Sequence, residues 1–138
     1  MDGVAHLQRE VAFHALMLGV MAAAMASHSV LASLAGTALL VVVSVPCSAV
    51  SRTRPAFRAH IVDLWAMALA LLAFVPWGRA GHHGVSVPSG WAFAAIVAAW
   101  AASRVWLAAR GGVSARRGAA ASGALTGAGL VAMAVFCA

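Results

Sequence analysis

Five apolar stretches, separated by short gaps that hold most of the arginines, constrain the fold of this chain more than any other feature. Each stretch is long enough, as a helix, to cross about 30 Å of hydrocarbon. The predicted spans are residues 11–27, 30–50, 60–76, 91–107 and 118–138. The sequence therefore predicts an all-α integral membrane helical bundle of about five transmembrane helices, which forms a single domain over residues 1–138.

Composition indicates that lipid, rather than water, surrounds most of the side chains. Of the 138 residues, 64% are hydrophobic and 9% are charged, whereas roughly a quarter of the residues are charged in an ordinary soluble domain. The net charge of +6 comes from nine basic residues and three acids. These arginines lie between apolar runs and form no basic surface with interleaved aromatic residues. The lipid bilayer is thus the expected partner, and nucleic acid is not.

The positions of the arginines also predict an orientation in a bacterial plasma membrane. The gaps at residues 51–59 and 108–117 hold three arginines each, and the gap at 77–90 holds one. Because arginine-rich loops stay in the cytoplasm, we expect a cytoplasmic N-terminus and an external C-terminus. Arg104 lies about one turn inside the fourth span, and we expect its guanidinium to extend to the inner interface without a chemical role.

The first span carries the residues that most suggest chemistry. Spacings of three or four residues place two imidazoles and three thioethers along one helical face, made of His14, Met17, Met21, Met25 and His28. Cu(I) accepts both kinds of ligand, but methionine is also a flexible filler of helix interfaces. The face is therefore either a soft-metal surface or a packing surface.

Four polar residues are predicted to meet near the inner interface. Glu10 and His14 are four residues apart in the first span, and His60 and Asp63 are three apart in the third. Each pair shares a helix face, and an arginine near the start of each helix puts the pairs at similar depth. This cluster is a hydrogen-bonded structural contact, a site for Zn, Mn or Fe, or a proton relay.

Three histidines are predicted at the outer surface. His28 lies in the turn between the first two spans, and His82 and His83 lie in the loop at residues 77–90, so together they form a candidate entry site for a metal ion. His14 and His28 are also about 21 Å apart along a helix, which resembles the spacing of paired ligands to haem b. The bulky methionines between them favour copper over haem.

The fifth span has a smooth face for close helix packing. Gly123 and Gly127 are four residues apart, and small residues at this spacing let helices approach closely in membranes. The face packs within the chain, against a membrane protein partner, or against a second copy. A non-catalytic accessory subunit of a larger membrane complex is thus the alternative to a metal-associated protein. The sequence has no Ser/His/Asp set or phosphate loop that would indicate an enzyme.

The stretch from His14 to Met17, followed by Met21 and Met25, resembles the start of a group of small actinobacterial multi-pass membrane proteins. The later element at residues 74–78, Phe-Val-Pro-Trp-Gly, which precedes the span that contains Trp100, is similar as well. The proteins of that group share a domain of unknown function. The resemblance implies that His14 and the methionines act as a unit, and it implies no activity.

Overall fold

The structure is a computed structural model, and its described residues contain five α-helices and no strand. It describes the backbone of residues 2–27, 29–54, 57–75, 89–111 and 113–137. Side chains are described for residue 8 and for residues 11–27, 29–54, 57–75, 90–111 and 120–135. The helices are α1 (Asp2–Ser27), α2 (Val30–Ser51), α3 (Phe57–Ala73), α4 (Ser89–Arg110) and α5 (Val113–Cys137). The prediction of an all-α chain with five helices is confirmed.

The break between α1 and α2 lies where the polar triplet predicted it. Ser27 ends α1, and its hydroxyl donates to the carbonyl of Ala24 at 2.9 Å. Ser29 has extended backbone angles and caps α2, since its hydroxyl accepts the amide of Ala32 at 3.5 Å. Serine side chains at such ends replace the hydrogen bonds that a helix terminus lacks. Two apolar helices are therefore separated by only two residues.

The helices do not coincide with the predicted membrane spans, and the largest differences are in α1 and α3. The first helix begins at Asp2, before the predicted span at 11–27, because a helix continues through polar residues that an apolar count leaves out. The third covers Phe57–Ala73 and not 60–76. The residue before a proline disfavours helical backbone, and α3 ends three residues before Pro76 in the sequence. The last two helices begin earlier than the predicted spans at 91–107 and 118–138.

Helix α3 is the centre of the described bundle. It is the only described helix that contacts all four others, while α4 packs against α3 and α5, and α2 packs against α1 and α3. Buried residues lie all along α3, from His60 to Leu71. His60 and Asp63 on α3 are consequently placed in the interior, where they meet side chains from several helices.

Within the described residues, two of the five helices are long and apolar enough to cross a membrane. They are Val30–Ser51 in α2, with a mean hydropathy of 2.2, and Gly90–Arg110 in α4, with a mean hydropathy of 1.6. The described apolar parts of α1 and α5, Val11–Ser27 and Ala120–Val135, are shorter. None of the residues in the α4 span is buried, so this helix does not resemble the buried core helix of a soluble protein.

Candidate functional site

Two histidines and an aspartate from α1 and α3 converge in the interior and form what we call the inner site: His14, His60 and Asp63. Their exposed fractions are 4%, 7% and 0%. One ligand atom from each residue lies within 4.8 Å of those of the other two. The imidazole rings of His14 and His60 have centroids 5.6 Å apart and meet edge to face. Sequence spacing predicted this convergence, with the Glu10 side chain as a fourth member that lies outside the described residues.

Aromatic rings surround the two imidazoles. Phe13 lies 4.9 Å from His60 between ring centroids, and Phe57 lies 5.7 Å from the same ring. Nε2 of His14 and Nδ1 of His60 are buried and have no hydrogen-bond partner among the described residues, although each histidine has other contacts. Because water is largely excluded by this apolar wall, an ion at the inner site would exchange its hydration shell for protein ligands.

The Asp63 carboxylate is held by side chains from α4. Trp100 donates its indole N–H to Oδ1 at 2.8 Å, and Nη1 of Arg104 donates to Oδ2 at 3.4 Å. Nη2 of Arg104 donates to the hydroxyl of Ser122 on α5 at 2.7 Å. Thr126, one turn further along α5, is fully buried near the same carboxylate. The acid therefore links three helices.

Arg104 is the main residue whose role the sequence did not reveal. The prediction that it extends to the inner interface was wrong, because its side chain is 10% exposed and pairs with Asp63. A signal existed, since Asp63 is the only acid in the sequence after Glu10 and a charge inside a membrane helix usually has a partner. The four-residue spacing of Trp100 and Arg104 also places both side chains on one face of α4.

The glycines of α5 make room for these α4 side chains. A Cβ added at Gly123 would lie 2.7 Å from Nη2 of Arg104, and one at Gly127 would lie 3.3 Å from the Trp100 ring. Both positions of the predicted smooth face therefore contact side chains of the same chain. A membrane partner or a second copy at this face stays a prediction.

The methionine face of α1 points into the core. Met17 and Met21 are buried, and Met25 is partly buried at the edge of the same cluster. Sequence reasoning missed Met67 on α3 and Met133 on α5, both fully buried. A Cβ added at Gly129 would meet the methyl groups of Met21 and Met67 at 3.4 and 3.3 Å, so thioethers from two helices meet there. We call these five residues the methionine core.

A cavity of about 800 Å³ opens beside the methionine core, between the ends of α1, α2, α3 and α5. Met21, Met25 and Met133 line it, and the hydroxyl-bearing residues Ser29 and Ser33 lie at its wall. His28, His82 and His83, the other candidate ligands at the outer end, lie outside the described residues. The predicted outer site and the haem-ligand role of His28 therefore stay predictions.

Comparisons with protein families, with curated proteins and with solved structures give no match to this chain. The resemblance to small actinobacterial membrane proteins stays a prediction, and function is argued from the residues themselves.

Proposed function

We propose that this chain is a multi-pass protein of the bacterial plasma membrane that binds a transition-metal ion at the inner site. The observation that carries the proposal is the convergence of His14, His60 and Asp63 within 4.8 Å in a buried position. Two imidazoles and one carboxylate offer donors that zinc, iron, manganese and copper all accept.

The geometry is close to that of a bound ion. Metal–ligand bonds of about 2.0–2.2 Å put ligand atoms at tetrahedral angles about 3.3–3.6 Å apart. The limit of 4.8 Å in the structure therefore requires a contraction of at most about 1.5 Å, which side-chain rotations provide. The edge-to-face arrangement of the two imidazoles also lets their nitrogens approach one point from different directions.

The exposed surface supports the membrane part of the proposal. Large apolar side chains face outward on α2 and α4, for example Val42 at 65% and Val105 at 70% exposure. Soluble proteins rarely expose contiguous apolar patches of this kind, whereas lipid solvates them without cost. A five-span topology with a cytoplasmic N-terminus fits these faces and the arginine-rich gaps.

The methionine core favours copper among the possible ions. Met17 lies one turn after His14 and is fully buried, and Met21 continues the same face. Thioethers are soft ligands that bind Cu(I) and bind zinc or manganese poorly. An ion at the inner site would thus have thioethers one and two turns further along α1, toward the cavity that Met21 lines.

Metal content and metal titration of the purified full-length chain test this proposal. In detergent, wild type is expected to bind about one equivalent of Ag(I), a stable analogue of Cu(I), or of Zn(II), and His14→Gln is expected to reduce the affinity at least tenfold. His82→Ala is the matched control, because it removes an imidazole from the predicted outer loop.

Equal binding by wild type and His14→Gln would refute the inner site as a metal site. If His82→Ala lost the binding of both ions while His14→Gln retained it, the metal site would be at the outer surface instead. Co-purification of one larger membrane protein with a metal-free chain would instead support the accessory-subunit alternative.

A further inference from the structure

The carboxylate of the inner site also pairs with the positively charged guanidinium of Arg104. Asp63 receives a hydrogen bond from Nη1 of Arg104 at 3.4 Å, and the same carboxylate supplies one of the three convergent ligand atoms. Arginine stays protonated in proteins. An ion bound by His14, His60 and Asp63 would therefore always have a guanidinium as its neighbour.

We propose that Arg104 makes the inner site selective for monovalent over divalent metal ions, which favours Cu(I) over Zn(II). This inference rests on the proposed function. Among the described side chains of the cluster, Asp63 and Arg104 cancel each other's charge. A bound monovalent ion then gives the cluster a net charge of about +1, and a divalent ion gives it about +2. The free-energy cost of burying a charge rises steeply with the magnitude of that charge.

The guanidinium is fixed beside the site and cannot easily swing away. Ser122 accepts a hydrogen bond from Nη2 at 2.7 Å, and the side chain is 10% exposed. Gly123 provides the space, since a Cβ there would lie 2.7 Å from the same nitrogen. An arginine that extended to the membrane surface would be screened by water, whereas this one acts on the ion at short range.

The expected size of the selectivity follows from Coulomb's law. For charges about 5 Å apart in an effective dielectric of about 20, one additional unit of ionic charge weakens binding on the order of a hundredfold. Removal of the guanidinium charge should therefore strengthen the binding of a divalent ion far more than that of a monovalent one.

Soft ligands also favour Cu(I), so their effect on selectivity has to be separated from the effect of the Arg104 charge. Met17 is the methionine nearest to His14 along α1, and a thioether favours Cu(I) for reasons unrelated to Arg104. Arg104→Gln removes the charge and keeps a side chain that can hydrogen-bond, while Met17→Leu removes the thioether and keeps the volume. The two variants therefore report on the two causes independently.

The experiment is a titration of the full-length chain in detergent with Ag(I) and with Zn(II), in wild type, Arg104→Gln, Arg104→Lys and Met17→Leu. Wild type is expected to bind Ag(I) at least tenfold more tightly than Zn(II). Arg104→Gln is expected to raise the Ag(I) affinity on the order of a hundredfold and the Zn(II) affinity by a further factor of about a hundred, because the divalent ion carries one more unit of charge. Arg104→Lys, which keeps the charge, should retain the wild-type ratio, and Met17→Leu should keep a preference for Ag(I).

The inference would be overturned if Arg104→Gln changed the affinities for Ag(I) and Zn(II) by the same factor. It would also be overturned if Met17→Leu bound the two ions with equal affinity. If Arg104→Gln does not fold, the wild type decides: His14-dependent Zn(II) binding as tight as that of Ag(I) would overturn the inference. Failure of the proposed function looks different, because binding of neither ion would then depend on His14.

Discussion

Two regions of the bundle interior, the inner site and the methionine core, are built from different kinds of side chain. At the inner site, imidazole, carboxylate, indole and guanidinium groups meet through directional contacts such as the 2.8 Å bond from Trp100 to Asp63. At the methionine core, thioethers such as Met21 and Met67 pack through non-directional contacts beside a cavity. Directional networks fail when one member is lost, whereas flexible side chains rearrange. The inner site should therefore tolerate substitution much less well than the methionine core.

The largest expected effect comes from removing one charge of the buried pair. Arg104→Met leaves the fully buried Asp63 without its cation, and breaking a buried pair in this way costs about 3–5 kcal/mol. Asp63→Asn combined with Arg104→Met should recover much of that loss, because no uncompensated charge remains. Thermal unfolding in detergent measures both. A double variant as unstable as the single one would show that the pair contributes more than charge neutralisation.

An intermediate effect is expected where α5 approaches α4. Gly123→Ala places a methyl group 2.7 Å from Nη2 of Arg104. Because Asp63 and Ser122 hold that guanidinium, relieving the contact costs about 1–3 kcal/mol. Gly19→Ala is the matched control, since no atom lies within 4 Å of the added Cβ and alanine favours a helix over glycine. The melting temperature should fall for the first variant and stay constant or rise for the second.

The smallest effect on stability is expected in the methionine core. Met21→Leu keeps the side-chain volume, so the free energy of unfolding should fall by less than about 1.5 kcal/mol. Ag(I) affinity separates the two interpretations of the methionine face, because it falls if the thioether is a ligand and is unchanged if Met21 only packs. A loss of stability as large as that of Arg104→Met would contradict the comparison between the two regions.

Local patterns predicted the helices and part of the inner site. Ser27 and Ser29 marked the break between α1 and α2 because hydroxyl capping is a short-range signal. The spacing of His60 and Asp63 identified one face of α3, and similar depth matched it to His14. These inferences needed only the period of the helix and the membrane boundary.

The remaining contacts depend on which helices are neighbours, and periodicity does not specify this. Arg104 could face lipid, α3 or a partner with the same sequence spacing, and only the position of α4 against α3 brings it to Asp63. Met67 and Met133 join the methionine core for the same reason. Helix ends also differ from the ends of the predicted spans, since apolar runs mark lipid contact rather than the hydrogen bonds that begin and end a helix.

The central position of α3 has a consequence for biosynthesis in the proposed topology. Asp63 is synthesised 41 residues before Arg104 and, by position in the sequence, 59 residues before Ser122. Until α4 has been synthesised, Asp63 cannot pair with Arg104, and an unpaired carboxylate is costly in hydrocarbon. Entry of α3 into lipid is therefore expected to wait for α4, so that the two helices leave the insertion machinery as a pair.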